Sequence, residues 1–385
     1  MLTFEQLAEA FSPGESIKEE LEERGWSQRD LAAIMGVQPS VVSGIINGTK
    51  PISLDLARNL AAAFGTSAQF WVNMETAYRL HLSPASHSAT SARSQLFEVA
   101  PVNEMVRRGW IESSTDVEIL RSRIEAFYGC SLNQVSADDL CYAARQGTGS
   151  GELTSAQKAA QKAWLRRARN LASAVQAVPF VTTSVDEAIK RLRPLMAYPE
   201  EVRHVPRTLA ECGIRFLVVE HLPQTRIDGV CFWLDDERPA IVLTMRYDRL
   251  DYFWFTLLHE LGHVSRKDGL TTTVVPDIDL VGENAAVSSM KPEIEQLADI
   301  FASEHTIPQR ELDGFIARVK PLFSKVKIQG FALRLGVHPA LVIGQLQHKG
   351  AIHWSHSREL LVKVRETITG NALTDGWGQV LPNVT

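Results

Sequence analysis

Two histidines and a glutamate in the stretch Phe253-Trp254-Phe255-Thr256-Leu257-Leu258-His259-Glu260-Leu261-Gly262-His263 have the types and spacing to bind a metal and act on water. The apolar residues around them run without Gly or Pro up to Gly262 and show no strand-like alternation, which predicts a buried helix. Residues four apart share a helix face, so His259 and His263 point the same way, about one turn apart. Two imidazoles so placed supply half of a tetrahedral zinc site. Glu260 is the candidate general base for a water activated there. A solvated helix face would not be flanked by Phe, Trp and Leu, and burying these polar groups unpartnered would be costly.

A catalytic zinc takes three protein ligands and leaves a fourth position open, so a further ligand is expected downstream. The best candidate segment is Pro292-Glu293-Ile294-Glu295-Gln296-Leu297-Ala298-Asp299-Ile300-Phe301-Ala302, a helical pattern opened by Pro292. Leu297, Ile300 and Phe301 mark its expected apolar side, while Glu295 and Asp299 share another face. Glu295 is the expected third ligand. Asp299 suits the role of accepting the outer N–H of a ligating histidine and fixing its tautomer.

The H-E-x-x-H run is the zincin signature, and a Glu-x-x-x-Asp arrangement on a later helix is the gluzincin pattern. Residues 251 to 263 and the later Glu295-x-x-Ala298-Asp299-x-Phe301-Ala302, closing at Ile307-Pro308, resemble the ImmA/IrrE family of metallopeptidase-like domains. That resemblance implies zinc held by His259, His263 and Glu295, with Glu260 catalytic toward a peptide or protein substrate. The family often closes this helix with Leu-Leu-Met-Pro. This chain has Glu304-His305-Thr306-Ile307-Pro308, which sets an additional histidine at the helix end.

A length of 385 residues argues for two or three domains, and 45% apolar with 22% charged residues is ordinary globular composition. The net charge of -5 provides no global basic field for nucleic acid, so any DNA contact must be local. Cys130, Cys141, Cys212 and Cys231 are scattered, with no C-x-x-C pair, and read as thiols in a reducing compartment. The opening MLTFEQLAEAF lacks a charged and apolar leader pattern, and no apolar run approaches the roughly 20 residues of a membrane span. The expectation is a cytoplasmic protein with no membrane partner.

Residues 14 to 82 read as a helical module. Ile17, Leu21 and Trp26 give the first helix its inward face and Gly25 stops it. Ser27 caps a second helix with Asp30 at the capping-box position. Gly36 ends that helix, and Val37-Gln38-Pro39 turns into a third, Ser40 to Asn47, which is helix-turn-helix order. The run GWSQRDLAAIMGVQPSVVSGIINGTKPISLDLARNLAAAFGTSAQFW is very similar to the Xre-type helix-turn-helix of VapI/HigA-like antitoxins. In such modules the third helix enters the major groove. Gln38, Ser40, Ser43 and Asn47 are therefore the candidates for DNA contact, with Gln28 at the start of the second helix and Thr49 and Lys50 on phosphates. Half of the acidic residues of this module are Glu19, Glu20, Glu22 and Glu23 on its first helix. The stretch from Val37 to Pro51 has no acid and one Lys. Few phosphate contacts per subunit imply a homodimer.

Between the two motifs, residues 83–94 are small and polar and read as a linker. Residues 95–140 read as a helical stretch of unstated role, and 146–151 as a flexible Gly-rich joint. Lys158, Lys162, Arg166, Arg167 and Arg169 read as a solvated helix face. Three β-rich runs follow, Ile214 to Val219, Gly229 to Leu234 and Ala240 to Thr244, with the third expected at a sheet edge able to pair with a peptide. The helix, Gly, helix pattern from Ile328 to His348 reads as packing or dimer scaffold.

The expected architecture is α+β and mainly α: a helix-turn-helix bundle (1–82), a linker and helical middle (83–175), a zincin-like domain with a small sheet (176–310) and a C-terminal helix-turn-helix-like extension (311–385). Across nearly its whole length the chain resembles an Xre-type, HigA-like regulator with a C-terminal ImmA/IrrE domain. That implies a repressor that binds double-stranded operator DNA in its own promoter region and pairs with a cognate toxin. The alternative is a zinc endopeptidase that uses its helix-turn-helix to reach a repressor, or that cleaves itself.

Overall fold

The computed structural model describes residues 12–82, 87–137, 153–270, 277–283 and 291–383. The opening segment, Cys141 and the Gly-rich 146–151 joint lie outside them. The chain divides into two compact units, Met1–Ser91 and Ala92–Thr385.

The first unit holds α1 (Pro13–Arg24), α2 (Gln28–Met35), α3 (Pro39–Ile46), α4 (Leu54–Phe64) and α5 (Ala68–Leu82). Its boundaries follow local chemistry. Ser12 and Ser27 each form a capping box, with Glu15 and Asp30, and Gly25, Gly36 and Gly65 end α1, α2 and α4 in the left-handed conformation that glycine adopts without strain. Ile17, Leu21, Leu31, Val42, Ile45, Leu60 and Trp71 fill one core of its own.

The second unit is built around a sheet with helices on both faces. In chain order its elements begin with the part of α6 (His87–Val99) from Ala92 onward, a helix that starts inside the stretch read as a linker. There follow α7 (Val102–Arg107), α8 (Val117–Tyr128), α9 (Leu132–Ala137), α10 (Ser155–Ala172), α11 (Ser184–Leu192) and α12 (Val205–Glu211). Next come β1 (Arg215–Val219), β2 (Ile227–Trp233), β3 (Pro239–Leu243), α13 (Leu250–Ser265), β4 (Asp277–Ile278), α14 (Glu293–Thr306) and α15 (Gln309–Val319). The chain closes with α16 (Lys325–Leu335), α17 (Pro339–His348), α18 (Arg365–Thr369), β5 (Leu373–Gly376) and β6 (Gln379–Asn383).

The strand order is β4-β2-β3-β1-β5-β6, with β1 parallel to β3 and β5 and the other pairs antiparallel. Strand side chains alternate between faces, so a strand buried on both sides reads as one apolar run. Phe216, Val218, Ile241 and Leu243 enter a core with α11, α12, α13, α16 and α17. Leu217, Val219, Val230, Phe232 and Val242 enter the opposite core, with Leu96, Met105, Ile124, Trp164 and Ala168. The helical middle is thus the cover of the sheet's second face. Its charge run is tied to the fold: Arg166 donates to the Phe127 carbonyl, Arg169 to the Trp233 carbonyl, and Arg167 pairs with Asp375 on β5.

Two expectations need correction. β3 lies between β2 and β1, so Ile241 to Thr244 is not an edge; the outer side of β2 is covered by β4, and the sheet ends at β4 and β6. On α14, Leu297 and Ile300 are 44% and 61% exposed, and the inward side carries Ala298, Asp299, Ala302 and Thr306. Small residues face inward because α14 packs closely on α13; a Cβ built on Gly262 would stand 3.2 Å from Phe301. The Ile328 to His348 helices act as packing, with α17 burying Leu341, Val342, Ile343 and Leu346 beside α13. Among the described residues no single helix is long and apolar enough to cross a membrane.

Two separate cores predict separable losses. Leu60→Ala, at a position with no exposed surface, should cost about 2–5 kcal/mol. Hydrogen exchange should then speed up across α1 to α5 while α13 keeps its protection.

Candidate metal centre and helix-turn-helix face

α13 carries His259, Glu260 and His263 into the interior, with His259 and Glu260 fully buried. The side of the helix bearing both histidines meets α14, and the side bearing Glu260 meets β2. His259 Nε2 and His263 Nε2 stand 3.0 Å apart. Glu295 Oε2, from the first turn of α14, lies 3.2 Å from the former and 3.6 Å from the latter. A tetrahedral ion with bonds of about 2.0–2.1 Å sets its donors about 3.4 Å apart, so these separations suit one cation.

The outer nitrogens face carboxylates. His259 Nδ1 lies 3.0 Å from Asp299 Oδ1, and His263 Nδ1 lies 2.9 Å from Asp268 Oδ2. A proton held on each Nδ1 leaves the Nε2 lone pair free for a metal. Lys291 steadies Asp299 at 2.7 Å, and Arg266 steadies Asp268 at 2.8 Å. Two imidazole lone pairs at 3.0 Å repel unless a cation or a proton lies between them, which is the clearest sign that this donor set fits a metal.

Glu260 occupies a notch in the sheet. A Cβ on Gly229 of β2 would stand 2.4 Å from Glu260 Oε1 and 2.9 Å from Thr256 Cγ2, so only glycine leaves room there. Both Glu260 oxygens are buried without a hydrogen-bond partner. Asp277 of β4, absent from the sequence argument, joins the same cluster, with Oδ2 3.5 Å from His259 Nε2. His305 is not part of it; its ring packs on Phe301 at 4.2 Å, and burial holds its pKa below the ordinary histidine value.

The electrostatics of the cluster favour a cation. Burial opposes charge on His259, but Asp277, Asp299 and Glu295 outweigh it and hold its pKa well above the ordinary value. Burial would likewise raise Glu295, yet its contacts with His259 and His263 hold it low. Glu260 is raised well above the usual carboxylate range, by burial first and by the charge of Asp277 next. A divalent ion beside these groups reverses that pressure and favours the carboxylate.

In the first unit, α3 turns Val42, Ile45 and Ile46 inward. Gln28, Gln38, Ser40, Asn47, Thr49 and Lys50 are exposed and Ser43 is half-exposed. Asn47 Nδ2 donates to Ser43 Oγ at 3.3 Å, and the Thr49 hydroxyl donates to the Gly44 carbonyl at 3.1 Å, which shapes the turn after α3. These side chains are available to a partner rather than committed to the core.

Two family models match the chain, one described as helix-turn-helix over residues 17–71 and one of a peptidase family described as the IrrE N-terminal-like domain over residues 213–327. The chain is 40% identical over 75 residues to Virulence-associated protein I of Dichelobacter nodosus, covering 19% of this chain and 69% of that protein. It is 34% identical over 68 residues to an uncharacterized HTH-type transcriptional regulator, YddM, of Escherichia coli, covering 18% and 72%. It is 41% identical over 73 residues to Antitoxin HigA-1 of Vibrio cholerae, covering 18% and 66%. The chain belongs to the helix-turn-helix family of these relatives, and its larger unit carries an IrrE-like, peptidase-type domain.

The spacing of Asp268, five residues after His263, was a readable signal for a second supporting carboxylate. Gly229 and Asp277 gave none, because strand pairing alone brings them to α13. Asp299→Asn should weaken zinc about 10- to 100-fold in a chelator competition, and His263→Ala should leave far less than the one equivalent expected in the wild type by elemental analysis.

Proposed function

We propose that the protein is an antitoxin-type transcriptional regulator that represses its own operon, and that its larger unit is a zinc-binding domain of metallopeptidase type. The observation that carries the first half is the exposed polar face of α3, flanked by Thr49 and Lys50, on a unit whose relatives include a named HTH-type regulator and a named antitoxin. In this reading α3 lies in the major groove of operator DNA. Gln38, Ser40, Ser43 and Asn47 face base edges, while Gln28, Thr49 and Lys50 hold the backbone. With one Lys on that face, affinity comes from two copies on a two-fold operator, and a toxin is the second protein partner.

In the larger unit His259, His263 and Glu295 would hold zinc. A bound zinc ion supplies Lewis acidity and lowers the pKa of a water toward about 7. The chain's own residues do the rest. Asp299 and Asp268 fix the imidazoles, the sheet and α17 exclude bulk solvent, and Glu260 is the group able to take a proton and return it to a leaving amine. The second reading, a working endopeptidase acting on a repressor or on itself, is favoured by the buried, unpartnered Glu260 beside the three donors.

The DNA half is tested by binding to the protein's own upstream region. Asn47→Ala should cost roughly 1–3 kcal/mol and relax sequence preference, while Lys50→Ala should weaken binding uniformly and reduce the salt slope by about 1. Affinity unaffected by either change would remove α3 from the groove. For the peptidase reading, Glu260→Gln should keep zinc and abolish cleavage of any substrate found; persistence of cleavage would eliminate Glu260 as the base.

A further inference from the structure

We propose that Asp277 is a fourth protein ligand of the metal centre and that it closes the centre against water. The proposal rests on the reading of His259, His263 and Glu295 as zinc ligands and adds a residue that no sequence motif supplies. Asp277 is buried, its Oδ2 lies 3.5 Å from His259 Nε2, and that oxygen has no hydrogen-bond partner. One donor atom each from His259, His263, Asp277 and Glu295 lies within 4.8 Å of the others. A buried carboxylate oxygen left without a hydrogen bond is expensive, and a shared cation satisfies it together with the two imidazoles and Glu295. Three protein ligands leave room for water; four make the closed shell of a structural zinc site.

The placement of Asp277 is built into the fold. β4 pairs antiparallel with β2, Asp277 opposite Gly229 and Ile278 opposite Ile227. Just beyond, Asp279 is clamped by Arg226 and Arg246, both at 2.9 Å, and the Leu280 amide donates to Asp228 Oδ2 at 2.8 Å. Asp228 in turn pairs with Arg246 at 2.9 Å. This Arg/Asp cluster holds the strand against the sheet and Asp277 against the donors. The same strand covers the β2 edge, where an extended peptide would otherwise add its backbone. A single two-residue strand therefore occupies both the open coordination position and the substrate edge, so the resting centre is a closed one. Glu260, in the notch opposite Asp277 on β2, is left with no water to act on until Asp277 leaves. The competing account is that Asp277 is held there only by a proton shared with Glu260.

The test uses cobalt(II) in place of zinc in the full chain, read by visible absorption, with azide as the probe for an open position. In the wild type the cobalt spectrum should be unchanged by azide. In Asp277→Asn, which keeps the side chain's shape, azide should shift the spectrum, and zinc should bind at least roughly tenfold more weakly in chelator competition. A wild-type cobalt spectrum that shifts with azide, or equal zinc affinity in the two proteins, would overturn the assignment while leaving the three-ligand site standing. Failure of the wild type to take up cobalt or zinc would instead sink the metal centre as a whole, and this ligand with it. The wild-type titration is decisive without relying on any variant to fold.

Discussion

The larger unit depends on one constraint: α13 must bury two imidazoles and a carboxylate between the sheet and α14 without leaving them unsatisfied. An unpaired polar group in such a place costs several times what a surface contact returns. The surroundings answer group by group. Asp299 and Asp268 take the outer nitrogens of His259 and His263, and Lys291 and Arg266 neutralise those carboxylates in turn. Gly229 opens space for Glu260, and Gly262 lets Phe301 bring α14 close enough for Glu295 to arrive. Much of the packing around α13 is thus organised by the need to hold polar groups at fixed positions in a dry interior, and the packed aliphatic helices α16 and α17 supply the rigidity.

What could be read from the sequence was what the helix repeat controls. His259, His263 and Glu260 are one turn of one helix, and the pairing of Glu295 with Asp299 is another, so spacing alone set each group on its face. The cap at Ser27 and the stops at Gly25 and Gly36 are similarly local, and the helix-turn-helix followed from them. What spacing does not control was missed. Asp277 and Gly229 meet α13 through a strand register, and the cover of the sheet's second face by α6 to α10 depends on which side of β1 each residue faces. The apolar side of α14 was misjudged because close helix packing selects small residues, and Ala298 and Ala302 carry a weaker signal than Leu297 and Ile300. β5 and β6 escaped notice because a short run such as Leu373 to Gly376 becomes a strand only when β1 is there to pair with it.

The two units solve different physical problems. The small one exposes neutral side chains on α3 and carries no acid from Val37 to Pro51, a surface arranged to approach a polyanion without a strong field of its own. Binding of that kind gains more from geometry and from doubling the contact than from charge. The larger one turns its chemistry inward, around buried imidazoles and carboxylates.

The parallel pairing of β1 with β5 sets the order in which the molecule can form. Leu217 pairs with Leu373, so the middle of the sheet is joined by residues separated by most of the unit. Contacts of that reach are slow to find, because the loop must close before the pairing rewards it. The helices of the small unit touch near neighbours in sequence and can settle early. The helix-turn-helix unit can therefore be complete on the nascent chain well before the sheet behind α13 has formed.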